Sequence, residues 1–463
     1  MTQLALAVVA LAIGLALMLA DMWAQGIGVA LAGLVGPPLV RNPDVMAVTT
    51  LALAPVQVDL GGGITPLKVW AVLAMVSALF ESLRTGEWRL PSSAVAAPFA
   101  VFALWVMVGE TVSMTVEPGA LMLVLVSTFV QLYMVWRAAA QPGGLRKVGI
   151  GYAVLLLALA ASIPLMPASV MADTGSARSA GLCGEPNWAG ETAARILPFA
   201  VALLIDRSNS RLLRILGAVA VVAALYCEFA SASRGGTLAM VAGMAAFALA
   251  TSDNPRSAIR GMALLSALAA ALLYLAPEAF AYRVLGSFGL GTFADAEHGD
   301  ITSGRLQLNS MAIEAFSDSP WFGLGANGWQ FRNQYLTGTV VAIHNGPLSG
   351  LVAFGLPAAV AYALAQLLGL VQFVRTARAQ SPDRIYRMAA FAHLVAVLVS
   401  SQSLPDIMRN LVWVAPALVV AGAHALKVSQ ATAGQPSPAT AVRLPERTSE
   451  RPAGNLSLPV RSG

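Results

Sequence analysis

The chain reads as a series of apolar runs, each about as long as the ~20 residues a helix needs to cross a hydrocarbon layer, separated by short polar joints. Apolar residues within the runs are near-continuous and do not alternate with polar ones, which favours helices over the strands of a membrane barrel. Fourteen runs fit: residues 4–20, 24–40, 44–58, 65–82, 93–111, 118–137, 147–168, 190–206, 211–230, 235–251, 259–277, 343–374, 385–402 and 409–427. The third is short and the second carries Pro37 and Pro38, so the pattern also accommodates twelve spans with this region re-entrant or interfacial. Either count describes an all-α polytopic membrane protein of about 12–14 transmembrane helices.

Composition agrees with the pattern. Of 463 residues, 57% are hydrophobic and 11% charged, with a mean hydropathy of +0.71, too apolar for one water-soluble core. The formal charge of +5 comes from basic residues spread between the runs, so it encodes membrane orientation and not a nucleic-acid surface. Arg41, Arg84 and Arg89, Arg137, Arg146 and Lys147, Arg207, Arg211 and Arg214, Arg256 and Arg260, and Arg375, Arg378, Arg384 and Arg387 all fall in connections of one parity. The positive-inside rule makes these connections cytoplasmic, and both termini with them. The first run, Leu4 to Ala20, lacks a preceding Lys or Arg and a small-residue cleavage site, and reads as a retained span. Cys183 and Cys227 are too few for a disulfide framework and read as unrelated thiols, and no Cys or His spacing suggests a metal site.

The opposite parity puts residues 168–190, 231–235 and 278–342 outside. The last is the one long loop, which packing alone does not require and which points to function. Thr302 or Ser303 can cap a helix whose apolar positions Leu306, Met311, Ile313 and Phe316 suit a stripe resting on the membrane domain, and Asp318, Ser319 and Pro320 end it. Beyond Lys427 the composition turns to Pro, Ser, Thr, Ala and Arg, which cannot support a fold.

Arginines on the outer side run against the orientation bias and need a reason. Arg178, Arg234, Arg283 and Arg305 are the four. Each alone also fits a lipid-headgroup contact or a surface ion pair, whereas several on one face favour an anionic ligand, because a guanidinium donates two parallel hydrogen bonds to phosphate oxygens. Arg234 is the sharpest: it joins two apolar runs beside Gly235 and Gly236, whose N–H groups would lie near the positive end of the next helix. Among the histidines, His393 lies inside a run and His424 near the end of the last, both suited to interhelical packing, and His298 sits in a polar patch with Glu297 and Asp300. His344 precedes Asn345 and Gly346 where the long loop re-enters the membrane; a neutral imidazole there can accept a proton from a hydroxyl, the alternative being a helix-capping His-Asn pair. Gly323, Gly325 and Gly328 match G-x-G-x-x-G but follow no strand, so a compact glycine loop after Pro320, Trp321 and Phe322 is sufficient.

In order along the chain, Glu185-Pro-Asn187, the run Ser231 to Gly236 around Arg234, Gly304-Arg305, the segment Asp318 to Gly325, and His344-Asn345 resemble the signature of the O-antigen ligase and Wzy-type polysaccharide polymerase superfamily. The resemblance covers about residues 170–370 and implies a metal-independent, inverting glycosyltransferase without a cofactor, set in the bacterial inner membrane with its active site periplasmic. Its donor would be an undecaprenyl-diphosphate-linked glycan and its acceptor a glycan or lipid A-core hydroxyl. The resemblance makes His344, Arg305 and Arg234 catalytic, and assigns substrate binding to Arg178, Arg234, Arg305 and Asn345, with His344 activating the acceptor and the arginines holding the diphosphate. Members of the superfamily often carry an acidic residue nine positions after the histidine, where this chain has Ala353. On this reading residues 1–168 are N-terminal transmembrane helices, 169–427 the O-antigen ligase-like catalytic region including the periplasmic loop 278–342, and 428–463 a disordered cytoplasmic tail. A secondary transporter or a flippase of lipid-linked oligosaccharides is the alternative; it needs ionisable residues forming a pathway at mid-span, where Glu110, Lys68 and Glu81 instead lie near span ends within reach of an interface.

Overall fold

A computed structural model of the chain describes residues 43–56, 65–86, 91–166, 169–170, 177–254, 256–263, 274, 280, 305–338, 341–404 and 410–433. The expected spans 4–20 and 24–40, most of 259–277, and Arg283, Glu297, His298, Asp300, Thr302 and Ser303 lie outside the described residues. The helices in chain order are α1 (Pro43–Leu53), α2 (Pro66–Thr85), α3 (Ser93–Ser113), α4 (Pro118–Ala139), α5 (Gly144–Ser162), α6 (Pro186–Ile205) and α7 (Arg211–Ser231). They continue as α8 (Arg234–Thr251), α9 (Arg305–Asp318), α10 (Gly328–Thr337), α11 (Gly346–Thr376), α12 (Arg384–Ser400) and α13 (Asn410–Ala433). Among the described residues nine helices are long and apolar enough to cross a membrane. α12 adds a buried helix of 17 residues, and α1, at 11, is too short to span, as the brevity of its run anticipated. α13 runs on through residues 428–433, so the last helix outlasts the apolar run that predicted it.

Local chemistry sets the helix starts. Ser92, Ser210, Ser233 and Asn345 each accept a backbone N–H of the following turn, and Pro66, Pro118, Pro186 and Pro347 occupy first-turn positions where no N–H is needed. Between α5 and α6, Ser169–Val170 (β1) and Ala177–Arg178 (β2) form a two-residue antiparallel ladder that pairs Ser169 with Arg178.

The helices associate by close packing of small and aromatic residues, because lipid removes the hydrophobic drive between them. Gly217 lets α7 approach the backbone of α6, where a Cβ would stand 2.6 Å from the Leu204 nitrogen. Gly243 does the same for α8 on α12, and Gly369 for α11 on α13. Phe99 and Phe102 of α3, Phe354 and Tyr362 of α11, and Trp413 of α13 form an aromatic cluster with ring centroids 4.7 to 6.4 Å apart along its contacts. His393 packs with Tyr152 and Phe199 and sets its Nδ1 2.7 Å from the Arg195 carbonyl oxygen, the interhelical role its position suggested.

Basic residues of the shorter connections collect at one end of the bundle. There Arg137 pairs with Glu81, Lys147 with Asp44 at 2.5 Å and Arg384 with Asp253 at 3.0 Å, while Asp383 accepts the Gly143 N–H. The opposite end holds the starts of α6, α8 and α11 and the ends of α3, α7 and α12.

The segment 305–338 is fastened to this second end. α9 lies on α11 through Leu308, Met311, Ala312, Ala315 and Phe316, spaced at i, i+3, i+4, i+7 and i+8. Leu306 and Ile313, expected in that stripe, are exposed, because the buried face is centred on the two alanines that allow close approach. Gly355 breaks α11 at φ 76° and ψ −179°, and Pro357 has no N–H for the Ala353 carbonyl. The loop fills the gap: Leu324 and Gly325 donate to the Val352 and Ala353 carbonyls at 2.8 and 2.9 Å, and Leu356 donates to Pro320 O at 2.9 Å. Gly323 and Gly325 thus serve a splice between loop and helix, and Gly328 begins α10, which accounts for the glycine spacing. Glu110, near the end of α3 as expected, is buried, and its carboxylate accepts from Thr115 N (2.5 Å), Thr115 Oγ1 (2.8 Å), Val116 N (2.5 Å) and Ala326 N (2.9 Å), tying the end of α3 to the loop.

Candidate functional site

Arg234 is the first residue of α8, half-buried and presented by a tight turn from α7 in which Ala232 adopts φ 45°. Of the N–H groups expected to be exposed at this turn, that of Gly236 is committed internally. Gly236 N donates to Ser233 Oγ at 3.1 Å, and the Glu228 carboxylate lies against Gly236 and Gly190, where a Cβ would stand 2.6 and 2.8 Å from Glu228 Oε2. Glu228 is buried and accepts from Thr237 Oγ1 at 2.8 Å. A carboxyl side chain therefore already lies at the N-terminal end of α8.

Arg178, 4% exposed, directs Nε to the Ser231 carbonyl and one terminal nitrogen to Asn187 Oδ1, both at 2.7 Å. Asn187 is held in turn by Glu185, the residue that caps α6. Arg178 therefore braces the turn from which Arg234 emerges. Asn345 is the N-cap of α11, as the capping alternative expected, accepting Leu348 N at 2.9 Å and donating to Gln402 Oε1 at 3.3 Å. His344, half-buried, immediately precedes it. Arg305 is the first residue of α9.

One turn joins the two strongest candidates. Residues 400–403 at the end of α12 meet α11 through Gly346 N to Ser401 O (2.6 Å) and through the Asn345–Gln402 contact. The same turn meets α8 where Gly235 leaves room for Ser403. Arg234 and His344 thus stand at adjoining helix starts on one end of the bundle, with Arg178 behind the first.

Sequence reasoning missed the charged groups beneath them. Glu191 and Arg195 of α6 form a fully buried ion pair at 3.0 Å, and Glu191 also accepts from Ser403 Oγ at 2.7 Å. Their i, i+4 spacing inside an apolar run was the available signal. Glu228, at the end of another run, gave a weaker one.

From Asn345 a largely apolar groove of about 580 Å³ follows α11 along its side facing α12, past Leu348, Leu351, Ala359 and Ala363 to Leu398 of α12. It couples a polar helix start to the apolar depth of the bundle.

Fold and site define a multi-pass membrane protein with Arg234, Arg305 and His344 at or beside helix starts. Residues 219–363 match the family model described as O-antigen ligase. The matched region holds Arg234, Arg305, His344 and Asn345, while Arg178, Glu191 and Arg195 lie outside it. The chain is also similar to the teichuronic acid biosynthesis protein TuaE of Bacillus subtilis (strain 168), 29% identical over 232 residues, 47% of this chain and 46% of that protein. The match spans about half the length of this curated relative.

Proposed function

We propose that the protein transfers a glycan from an undecaprenyl-diphosphate-linked donor to an acceptor sugar hydroxyl at the periplasmic face of a bacterial inner membrane, as a polysaccharide polymerase or an O-antigen ligase. The observation that carries this reading is the junction of the α8 and α11 starts, which brings the Arg234 and His344 positions to one end of the bundle beside an apolar groove. The family match over residues 219–363 and a relative named for teichuronic acid biosynthesis support it. A polyprenyl chain suits the groove, with its diphosphate next to Asn345, and the donor then needs no water-filled path through the bilayer. Basic residues at the far end of the bundle support a cytoplasmic position for that end and for both termini.

In this mechanism the acceptor oxygen attacks the anomeric carbon from the face opposite the diphosphate, inverting its configuration. The carbon–oxygen bond to the diphosphate breaks, and the leaving group takes the electron pair. His344 takes the hydroxyl proton. Arg234 and Arg305 are the groups assigned to the leaving diphosphate, where guanidinium groups would stabilise charge that grows in the transition state and could do so without a metal. Arg178 contributes its charge from behind and keeps the Arg234 turn in place.

Purified protein in lipid bilayers, given a polyprenyl-diphosphate glycan and an acceptor, tests the reading. Arg234→Ala should lower turnover about 10²- to 10³-fold, the loss typical of a single transition-state donor. His344→Ala should lower it about 10²- to 10⁴-fold, as for a general base. Wild-type turnover in both variants at equal protein levels would put the chemistry elsewhere.

A further inference from the structure

Glu191 and Arg195 are 1% and 0% exposed in the interior of a helix that otherwise reads as a membrane span. A buried pair of this kind is weak evidence for stability, since apolar residues of similar volume often hold a fold as well. An ionisable pair within a span asks for a role, and its hydrogen bonds point to one.

Both members hold the same short turn. Glu191 Oε1 accepts from Ser403 Oγ at 2.7 Å, and Arg195 Nε donates to Ser400 Oγ at 2.7 Å. Between these two anchors, Ser401 O takes the Gly346 N–H at 2.6 Å and Gln402 meets Asn345 at 3.3 Å. On its other side the pair limits α8, because a Cβ at Gly235 would stand 2.8 Å from Glu191 Oε1 and run into Ser403. The histidine-bearing start of α11 and the arginine-bearing start of α8 therefore both rest on one rigid object.

Resting on the transfer reading above, we infer that the Glu191–Arg195 pair is a positioning device that holds the 400–403 turn and through it sets His344 relative to Arg234. Neither residue touches substrate. Their charges fix the two oxygens and the guanidinium in one orientation, which a pair of neutral amides does not. Positional errors of about an ångström at a reacting centre cost on the order of a hundred-fold in rate, so the effect belongs in kcat and not in donor binding.

Full-length protein in lipid bilayers tests this with two readouts, transfer kinetics and amide hydrogen exchange. Glu191→Gln and Ser403→Ala should each lower kcat on the order of a hundred-fold at unchanged donor KM. In both, the peptide spanning residues 343–350 should exchange faster than in wild type. Ser403→Ala removes one hydroxyl and keeps the ion pair, so it reports even where Glu191→Gln fails to fold. The charge-neutral double variant Glu191→Gln with Arg195→Gln should match the wild-type thermal midpoint yet remain slow. Wild-type turnover in that double variant, or unchanged exchange of 343–350 in both single variants, would overturn the positioning role. A wild-type protein inactive on every polyprenyl-diphosphate glycan would instead remove the transfer reading, and the exchange experiment would still decide the positioning one.

Discussion

Gly355 does what no other residue can at its place. Its φ of 76° with ψ of −179° falls in a region that glycine alone occupies readily, and a Cβ would run into the Trp321 carbonyl. Gly355→Ala should cost about 1–3 kcal/mol from backbone strain alone, more with the clash, and lower the thermal midpoint of the purified protein. Single residues were legible in the sequence where a polar group stood alone against apolar neighbours. Arg234 and His344 stood out that way, both at helix starts. Glu228, Glu191 and Arg195 did not, because hydropathy averages them into the runs that contain them and only the fold reveals that Gly190, Gly235 and Gly236 leave room for their carboxylates. The Gly236 N–H of the Arg234 turn was misjudged for the same reason: Ser233 accepts it, and a carboxyl group of the preceding helix packs against the same glycine.

Helices were the easiest elements to predict, since length and continuous apolarity leave few alternatives in a bilayer. The second end of the bundle is harder, because its polar segments are held by contacts across long sequence separations. Glu110 illustrates this: one oxygen accepts three donors at the end of α3, and the other accepts the Ala326 N–H more than two hundred residues on. Glu110→Gln keeps the first oxygen and turns the second into a donor facing a donor. It should loosen the loop around Ala326 selectively, at about 1–3 kcal/mol, seen as faster exchange or proteolysis of residues 319–328 with α3 unchanged. Glu110→Ala should destabilise the whole end of α3 as well. The face of α9 was misread at Leu306 and Ile313 because a stripe of large residues looked the natural contact, whereas Ala312 and Ala315 permit the nearer approach to α11.

At the scale of the molecule, the two ends differ in kind: ion pairs of the short basic connections at one, convergent helix starts at the other. Cysteine labelling can assign them to sides of the membrane. Cys183 and Cys227 are both buried, so the native chain should stay unlabelled by a membrane-impermeant maleimide on intact cells. Tyr335→Cys, on exposed α10, should label from outside. Ser208→Cys, in the exposed connection between α6 and α7, should label only after permeabilisation. The reverse result would invert the proposed orientation and move the transfer site to the cytosolic face.

Sequence alone determined that the chain is helical and membrane-bound, which connections carry the basic residues, and which polar residues begin helices. These are local properties, set by hydrogen-bond demand in lipid and by charge next to it. Only the tertiary structure decided that the starts of α8 and α11 meet on one turn, that a buried Glu–Arg pair underlies them, and that a glycine loop mends a broken span. Those arrangements depend on groups far apart in the chain satisfying one another where no water can, and no local pattern encodes which partner will be chosen.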